Sequence, residues 1–220
     1  TSADLLEHPI WNALTTGHSG LARSFGDARR FPGSVSPLAA LRGLTPRAFE
    51  DLLTMVSPGE EVALFTLRPI EVPDTWQIVK ARYIDQMVCA APIGERSALA
   101  QPLGESDVPE MLELTAATKP GPFARETIRM GRYFGVRSPQ GKLIAMTGER
   151  LRLERHTELS AVCTDPNFRG QGHGRMLVSH LIAQMRDEGR TPFLHVKGEN
   201  QQAKALYEQL GFRTSRPIQY

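Results

Sequence analysis

The clearest helical pattern along the chain lies between residues 174 and 188. Apolar side chains recur there at intervals of four and define one face, formed by Leu177, Leu181 and Met185. Gly189 predicts the end of this helix, since a glycine readily adopts the left-handed conformation of a helix terminus. The apolar run 193–196 that follows predicts a short buried strand.

A second amphipathic helix is predicted after Asn200, whose side chain can cap the helix N-terminus. The inward face of this helix carries Ala203, Tyr207 and Leu210. Gly211 is placed to end it, and Phe212 is placed to pack back against its last turn.

The segment before these helices reads as two helices followed by three strands. We predict a helix over 107–118 capped by Ser106, a short helix over 123–130, and strands over 132–137, 142–153 and 157–164. The first two strands flank a turn at 138–141. Residues 105–220 therefore run helix, helix, three strands, helix, strand, helix, strand.

The first hundred residues have a different character. They predict a short helix within 5–14 interrupted by Pro9, an irregular stretch over 16–37, a helix over 46–55 capped by Thr45, strands over 62–67 and 76–80, and a further element over 83–88. A stretch rich in Pro and Gly over 92–104 marks a boundary. We expect an N-terminal α/β region over 1–100 and a second domain over 101–220.

Composition narrows the classes of function. The 220 residues are 40% hydrophobic and 23% charged with a formal net charge of +2, which is typical of a globular protein and gives no reason to expect nucleic-acid binding. Cys89 and Cys163 lack the spacing of metal ligands, so no metal is expected. No apolar run is long enough to span a bilayer and no secretory leader is visible. We therefore expect a cytoplasmic protein without membrane contact.

The most informative segment is Glu158–Arg175, a buried strand and a turn followed by a glycine-rich loop that opens into the helix over 174–188. Such a loop presents free backbone N–H groups and the positive end of a helix dipole to an anion. Gly170, Gly172 and Gly174 lack the Cβ atoms that would keep a phosphate away. This arrangement predicts a pyrophosphate site.

Spacing decides between the known kinds of phosphate loop. A P-loop would need a Lys after the glycines, and a dinucleotide fingerprint would need a third glycine where Arg175 or Leu177 stands. The spacing that remains is Arg169-x-x-Gly172-x-Gly174, which resembles the acyl-CoA loop of the GNAT superfamily of N-acetyltransferases. The pattern from Asn200 through Tyr207 to Phe212 resembles the second signature of that superfamily.

The resemblance covers residues 105–220 and implies a fold and an activity. The fold is of the mixed α/β (α+β) class, a mostly antiparallel sheet flanked by helices. The residues at 118–123 and 158–164 most resemble the glycine N-acyltransferase-like branch. In that branch an N-terminal half packs as a diverged partner of the catalytic half. The implied reaction transfers an acetyl or other short acyl group from acyl-CoA to a primary amine, with acetyl-CoA as the default co-substrate.

The resemblance also implies residues that bind the donor. The strand before the loop would pair with the pantetheine arm, and the loop amides would hold the pyrophosphate; the residues concerned are Val162, Cys163, Thr164, Arg169, Gly170, Gln171, Gly172, His173, Gly174 and Arg175. Asn200 is a further candidate for the pantetheine arm. The N–H group near Cys163 would polarise the thioester carbonyl.

Two residues are candidates for proton transfer. Glu158 stands where several GNAT members carry the catalytic glutamate, and we expect its burial on an apolar strand to raise its pKa towards neutral. His156, two residues earlier on the same strand face, is the alternative base. Tyr207 is the candidate acid for the leaving thiolate, and transfer is expected to proceed directly in a ternary complex, without an acyl-cysteine at Cys163.

The acceptor is a small amine or a peptide amine. Cations at Lys119, Arg125, Arg129 and Arg132 suggest an acceptor that carries a carboxylate, and His195 is placed to line its pocket. The rival hypothesis is a non-catalytic acyl-CoA sensor that contacts a partner through residues 1–100. The sequence leaves the oligomeric state open, and a homodimer is one alternative.

Overall fold

The computed structural model describes residues 4–220, which form two β-sheets and the helices packed on them. The N-terminal part contains helix α1 (Pro9–Thr15), strands β1 (Arg23–Phe25), β2 (Ala28–Arg30) and β3 (Ala39–Leu41), and helix α2 (Pro46–Leu53). The three strands make a small antiparallel sheet in the order β1-β2-β3.

The remaining elements build the larger sheet and its flanking helices. They are β4 (Tyr83–Cys89), β5 (Gln101–Leu103), α3 (Val108–Thr118), β6 (Tyr133–Arg137), β7 (Leu143–Arg152), β8 (His156–Thr164), α4 (His173–Asp187), β9 (Thr191–Lys197), α5 (Gln201–Gln209) and β10 (Phe212–Gln219). The seven strands are ordered β10-β4-β9-β8-β7-β6-β5. Only the β8–β9 pair is parallel among the described strand pairs of this sheet. The predicted mostly antiparallel mixed sheet is confirmed.

Both faces of the large sheet are covered, and alternate side chains of each strand face opposite sides. Leu194 packs with α4 and α5 in one buried cluster, whereas its neighbour Phe193 packs with α1 and Val35 in another. Helix α3 covers β5, β6 and β7 through a third cluster that contains Met111 and Tyr133. The N-terminal part therefore lies against one face of the sheet and α4 and α5 against the other.

Strand β4 ties the two parts of the chain together. It comes from the first hundred residues, yet it is hydrogen-bonded on one side to β9 and on the other to β10. Strand β10 reaches the sheet only through β4 within the described residues. The predicted division near residue 100 therefore does not coincide with a division of the sheet.

Several predicted helix ends are confirmed by the capping contacts. The Thr45 side chain accepts a hydrogen bond from the amide of Ala48, and Asn200 accepts one from Ala203. Gly189 has a φ of 67° and Gly211 a φ of 93°. A Cβ at Gly211 would also lie 2.1 Å from the carbonyl oxygen of Ala91, so glycine is required there for two reasons.

Other local predictions were wrong. Pro9 begins α1 instead of interrupting a helix, because proline is well suited to a first helical turn. The stretch 16–37, predicted to be irregular, contains the strands β1 and β2. Segments 62–67 and 76–80 form no strands, only isolated bridges from Ala63 and Thr66. Ser106 lies in a short 3₁₀ turn one residue before the cap of α3, and only 127–130 of the second predicted helix is helical, as a 3₁₀ turn. No helix within residues 4–220 has the length and apolarity needed to cross a bilayer.

Candidate active site

Strands β8 and β9 lie side by side only at their beginnings. Their register ends with the pair Glu158 and Phe193, although β8 continues to Thr164 and β9 to Lys197. Beyond this pair the two strands part, which leaves backbone groups of both strands unpaired with each other. The separation opens towards the glycine-rich loop that follows β8.

A bulge in β8 coincides with this separation. The register against β7 shifts between Met146 and Gly148, so that Ala161 and Val162 together oppose Thr147. Ala161 has a φ of 53°, which is a strained conformation for a residue with a Cβ. Bulges are frequent next to active sites because they redirect side chains. Nothing in the sequence pattern indicated this position.

The glycine-rich loop presents a row of free donors. Asp165 organises its start by accepting a hydrogen bond from the amide of Asn167, and α4 begins at His173 after Gly172. No backbone amide from Arg169 to Arg175 donates a hydrogen bond to any atom of residues 4–220. The amides at the positive end of a 15-residue helix are therefore available to an anion.

Two glycines of the loop differ in what they require. Gly172 has a φ of 79°, so its backbone conformation itself favours glycine. Gly174 has no such φ, and a Cβ built there would meet only Thr164 Oγ1, at an ordinary contact distance of 3.6 Å. The folded chain alone gives no reason for glycine at 174, which fits a position that a ligand approaches closely.

Cationic side chains flank the loop. The Arg169 Nε donates to the carbonyl of Thr164 at 3.3 Å, and Arg175 hydrogen-bonds the side-chain oxygen of Gln209. Neither guanidinium forms an ion pair within the described chain. His173 contacts Gln171 at 3.3 Å. Two uncompensated positive charges thus stand beside the free amides, as a diphosphate would require.

Glu158 lies where the strands part, and it is fully enclosed. Its carboxylate accepts hydrogen bonds from Arg150 Nε at 2.8 Å and from Arg150 Nη2 at 2.5 Å, and it lies 2.7 Å from His195 Nδ1. Glu158 is 0% exposed. Arg150, which sequence reasoning missed, was hidden because it lies on a different strand, eight residues earlier.

The expected rise in the pKa of Glu158 is wrong. Burial does raise it, but the positive charge of Arg150 and the contact with His195 outweigh burial and lower the pKa from 4.5 to about 2. In this arrangement Glu158 is ionised at neutral pH and is a weak base. The sequence showed the apolar strand but not the guanidinium that lies beside it.

The contacts of His195 define its tautomer. Nδ1 donates to Glu158, and Nε2 lies 3.2 Å from the Gln86 side-chain nitrogen, which also donates to the carbonyl of Leu6. Nδ1 therefore carries a proton that points at the Glu158 carboxylate. The side chain of His195 is 2% exposed and stands edge-on to Phe65, with ring centroids 4.7 Å apart. The predicted placement near the acceptor side of the sheet stays a prediction.

His156, the alternative base, lies at the beginning of β8, away from the loop. It is half-buried, and its ring stands edge-on to Phe193 with centroids 6.4 Å apart. Burial lowers its pKa, so the imidazole is neutral at neutral pH. Its Nδ1 is buried without a hydrogen-bond partner in the described chain.

Tyr207 lies on the opposite face of the sheet from Glu158, in the cluster formed by α4 and α5. Its ring packs on Phe212 with centroids 5.8 Å apart. Burial raises the pKa of Tyr207 to about 12, so the phenol keeps its proton at neutral pH. No residue among 4–220 forms a hydrogen bond with its hydroxyl. The hydroxyl oxygen is also not fully enclosed, so a ligand can reach it. The hydroxyl is therefore free to donate.

The strand residues expected to contact the pantetheine arm occupy different environments. Val162 packs partly buried against the α4 and α5 cluster, whereas Cys163 faces the α3 cluster and is buried. Burial raises the pKa of the Cys163 thiol to about 11. Thr164 pairs with Ala145 at the end of β8. Asn200 caps α5, and its role towards a ligand stays a prediction.

No group of three or more His, Cys, Asp or Glu side chains within 4–220 could hold a metal ion.

Comparison with known proteins places this site in a class of enzymes. The family described as FR47-like protein matches residues 133–219. The [ribosomal protein bS18]-alanine N-acetyltransferase of Escherichia coli (strain K12) is 32% identical over 115 residues, which cover 50% of this chain and 77% of that protein. The family match contains the loop and both candidate catalytic residues, and the relative that matches half of the chain is a named N-acetyltransferase.

Solved structures extend the similarity to the whole chain. A protein of Novosphingobium aromaticivorans assigned to the GNAT family superposes with a TM-score of 0.91 and 36% identity, covering 98% of this chain and 96% of that one. A GCN5-related N-acetyltransferase from Kribbella flavida shares the fold, with a TM-score of 0.59 at 14% identity over 96% of this chain. This chain belongs to the GNAT family of acetyltransferases and is an N-acetyltransferase. The finer assignment to the glycine N-acyltransferase-like branch stays a prediction.

Proposed function

We propose that this protein transfers an acetyl or other short acyl group from acyl-CoA directly to a primary amine within a ternary complex. The observation that carries the proposal is the row of unpaired amides from Arg169 to Arg175 at the N-terminus of α4. Such a row, with two guanidinium groups that form no ion pair in the described chain, matches the charge of a diphosphate. The amine can belong to a small molecule or to a peptide.

In the reaction, the amine nitrogen attacks the thioester carbonyl carbon and the carbon–sulfur bond breaks. The products are an amide and the CoA thiol, so one proton leaves the nitrogen and one reaches the sulfur. The residues of the chain have to bind the donor, stabilise the carbonyl oxygen and carry these two protons. We assign the oxygen to a backbone N–H near Cys163, a kind of contact that is worth about 3 kcal/mol in the transition state.

We assign Glu158 to the amine side of the reaction, acting through a water molecule because the carboxylate is enclosed. Its strength as a base depends on Arg150, whose charge holds the pKa near 2. If the guanidinium turns away when the acceptor binds, burial becomes the dominant effect and the pKa rises. The ion pair with Arg150 thus keeps Glu158 ionised and ready until the amine arrives.

We assign Tyr207 to the sulfur side. The thiol of CoA resembles a free cysteine, with a pKa of about 8.5, so a phenol whose pKa is about 12 is fully protonated when the thiolate leaves. The phenol can donate a hydrogen bond to the developing negative charge on sulfur, and delivery of the proton requires that the bound donor lower the pKa of the phenol towards that of the thiol. Its unpaired hydroxyl is free for this role.

Direct transfer is favoured over an acyl-cysteine intermediate by the state of Cys163. A thiol whose burial raises its pKa to about 11 is protonated at neutral pH and is a poor nucleophile. Initial-rate kinetics with varied acyl-CoA and amine should therefore give intersecting double-reciprocal lines. Parallel lines or a trapped acyl-cysteine would contradict direct transfer.

The decisive experiment combines binding with turnover. Calorimetric titration of the protein with acetyl-CoA should show one saturable site, and no binding at millimolar acetyl-CoA would overturn the proposal. Release of CoA thiol is then measured over a panel of amines that includes amino acids and a peptide beginning with alanine. Binding of acetyl-CoA without acylation of any amine would instead favour an acyl-CoA sensor.

A further inference from the structure

A large cavity lies outside the glycine-rich loop, on the face of the sheet that carries Glu158. Its volume is about 810 Å³, within the range of sites that hold a small molecule. The walls come from α2, the irregular segment 56–82 and the end of β10. Most lining side chains are apolar or aromatic, including Phe49, Leu52, Val62, Leu64, Ile70 and Trp76.

Two buried polar atoms in this cavity lack partners. Arg82 Nε and Gln219 Oε1 belong to lining residues, and each is enclosed without a hydrogen bond to the described chain. Buried donors and acceptors are nearly always paired in folded proteins. Both atoms are closed to solvent, so a ligand in the cavity reaches Arg82 only at its terminal nitrogens, which are not among the enclosed atoms.

The chemistry of Arg82 defines that end. Its guanidinium stacks on the ring of Tyr220 at 4.9 Å, which fixes its plane, and it forms no ion pair within 4–220. Lys80, a second cation, also lines the cavity, as do two carboxylates, Glu60, which pairs with Arg30, and Glu61. Since Nε is enclosed, the guanidinium offers its two terminal nitrogens, which can bind a carboxylate end-on through two hydrogen bonds.

The cavity adjoins the candidate catalytic residues through an aromatic pair. Tyr220 stands edge-on to Phe65 with ring centroids 5.5 Å apart, and Phe65 packs on His195 at 4.7 Å. His195 in turn binds Glu158. Strand β10 runs antiparallel to β4, and β4 antiparallel to β9, so Tyr220 lies at the edge of the sheet where β8 and β9 part.

We propose that this cavity recognises the acceptor, and that the acceptor is a primary amine with an apolar body and a free carboxylate, such as an apolar amino acid. This inference rests on the proposed function, since it assigns the substrate class of the same reaction. The carboxylate binds Arg82, and the apolar body lies against Trp76 and the other apolar walls. Arg82 is thus a specificity-determining residue contributed by the N-terminal part of the chain.

The cations that the sequence suggested for this role are partly engaged elsewhere. Arg129 pairs with Glu126, and Arg132 pairs with both Glu149 and Glu188. Their charge is compensated within the fold, whereas that of Arg82 is not. Lys119 and Arg125 also form no ion pair within 4–220, but neither lines the cavity, so Arg82 is the candidate that the cavity itself offers.

The test compares three amines with the wild-type chain and variants at Arg82. L-Phenylalanine carries both recognition groups, phenethylamine lacks the carboxylate, and L-alanine lacks the large apolar body. For wild type we expect kcat/KM to fall at least about tenfold from phenylalanine to either analogue, a difference of about 1.4 kcal/mol. Arg82→Gln should raise KM for phenylalanine by at least about tenfold, leave kcat within about twofold, and leave phenethylamine unaffected.

Arg68→Gln is the matched control, because Arg68 is an exposed arginine of the same segment that does not line the cavity. Arg82→Lys should restore less than half of the loss, since an ammonium lacks the planar fork. Equal effects of Arg82→Gln on phenylalanine and phenethylamine, or none on either, would overturn the inference. Calorimetry with acetyl-CoA distinguishes the two failures. A protein that binds acetyl-CoA but shows no Arg82-dependent preference refutes only the acceptor site, whereas one that binds no acetyl-CoA refutes the proposed function.

Discussion

Glu158 and Phe193 are the last residues that β8 and β9 share in register, and the Glu158 carboxylate is held at that point by Arg150. The position at which the sheet opens is therefore also the position of a fully buried, ion-paired carboxylate. An opening in a sheet exposes unpaired backbone groups, so a fixed charge beside it can act on a substrate that enters there. This relationship links the fold to the proposed chemistry.

Glu158→Gln should lower both activity and stability. Loss of the carboxylate leaves Arg150 buried without its partner, which costs about 3–5 kcal/mol, and removal of a positioned base costs about 10²-fold in kcat/KM. Because the folded pKa of about 2 lies below the ordinary 4.5, the stabilising contribution is present above pH 4.5 and is lost as the pH falls towards 2. Urea unfolding of both proteins across this range should therefore give curves that converge in acid. Glu154→Gln, at an exposed position, serves as the control, and a stability difference independent of pH would contradict the assignment.

Arg150→Met tests the control of Glu158 by its partner. Removal of the positive charge leaves burial as the main influence, so the pKa of Glu158 should rise. The acidic limb of the profile of kcat/KM against pH should move to higher pH in the variant. A limb that does not move would show that Glu158 does not govern the reaction.

Gly174→Ala should separate stability from donor binding. Alanine favours helix over glycine by about 0.5–1 kcal/mol, and the added Cβ has space in the folded chain, so the melting temperature should stay equal or rise. The affinity for acetyl-CoA should nevertheless fall by at least about tenfold, equivalent to about 1.4 kcal/mol. The added methyl group would occupy space that the diphosphate needs beside the loop amides. Thermal melting and calorimetry on one sample measure both effects. Gly20→Ala, where the space is also open, should leave affinity unchanged.

Tyr207→Phe should reduce turnover without destabilising the fold. The hydroxyl has no partner within the described chain, so its removal should change the free energy of unfolding by less than about 0.5 kcal/mol. As the proposed acid, its loss should lower kcat by about 10²-fold while the Kd for acetyl-CoA stays constant. Since the pKa is about 12, no alkaline limb from this residue is expected below pH 11. Tyr83→Phe, at an exposed tyrosine, should be silent.

A fragment of residues 101–220 should not fold cooperatively. Without β4, strand β9 loses its antiparallel neighbour and β10 loses its only strand contact in the large sheet of the described chain. Exposed strand edges and the uncovered apolar face would favour aggregation. Urea unfolding followed by circular dichroism should show no sharp transition for this fragment. A sharp transition would instead support an independent domain at the predicted boundary.

The glycine-rich loop and the helix ends were predictable because they depend on residues close in sequence. Glycine spacing, the cap at Asn200 and the helix ends at Gly189 and Gly211 each follow from the conformational preferences of one or two residues. The segments 62–67 and 76–80 show the opposite case. Their apolar residues line a cavity instead of forming strands, and local β-propensity cannot tell these outcomes apart.

The sequence by itself determined the order of the strands and long helices after residue 105, the glycine-rich loop and the identity of the family, since those rest on short-range patterns. Tertiary structure alone decided the pKa of Glu158, the insertion of β4 between β9 and β10, and the meeting of Arg82 with Tyr220. Electrostatic effects and strand pairing depend on distances in space between residues far apart along the chain. A pattern read along one dimension does not contain those distances.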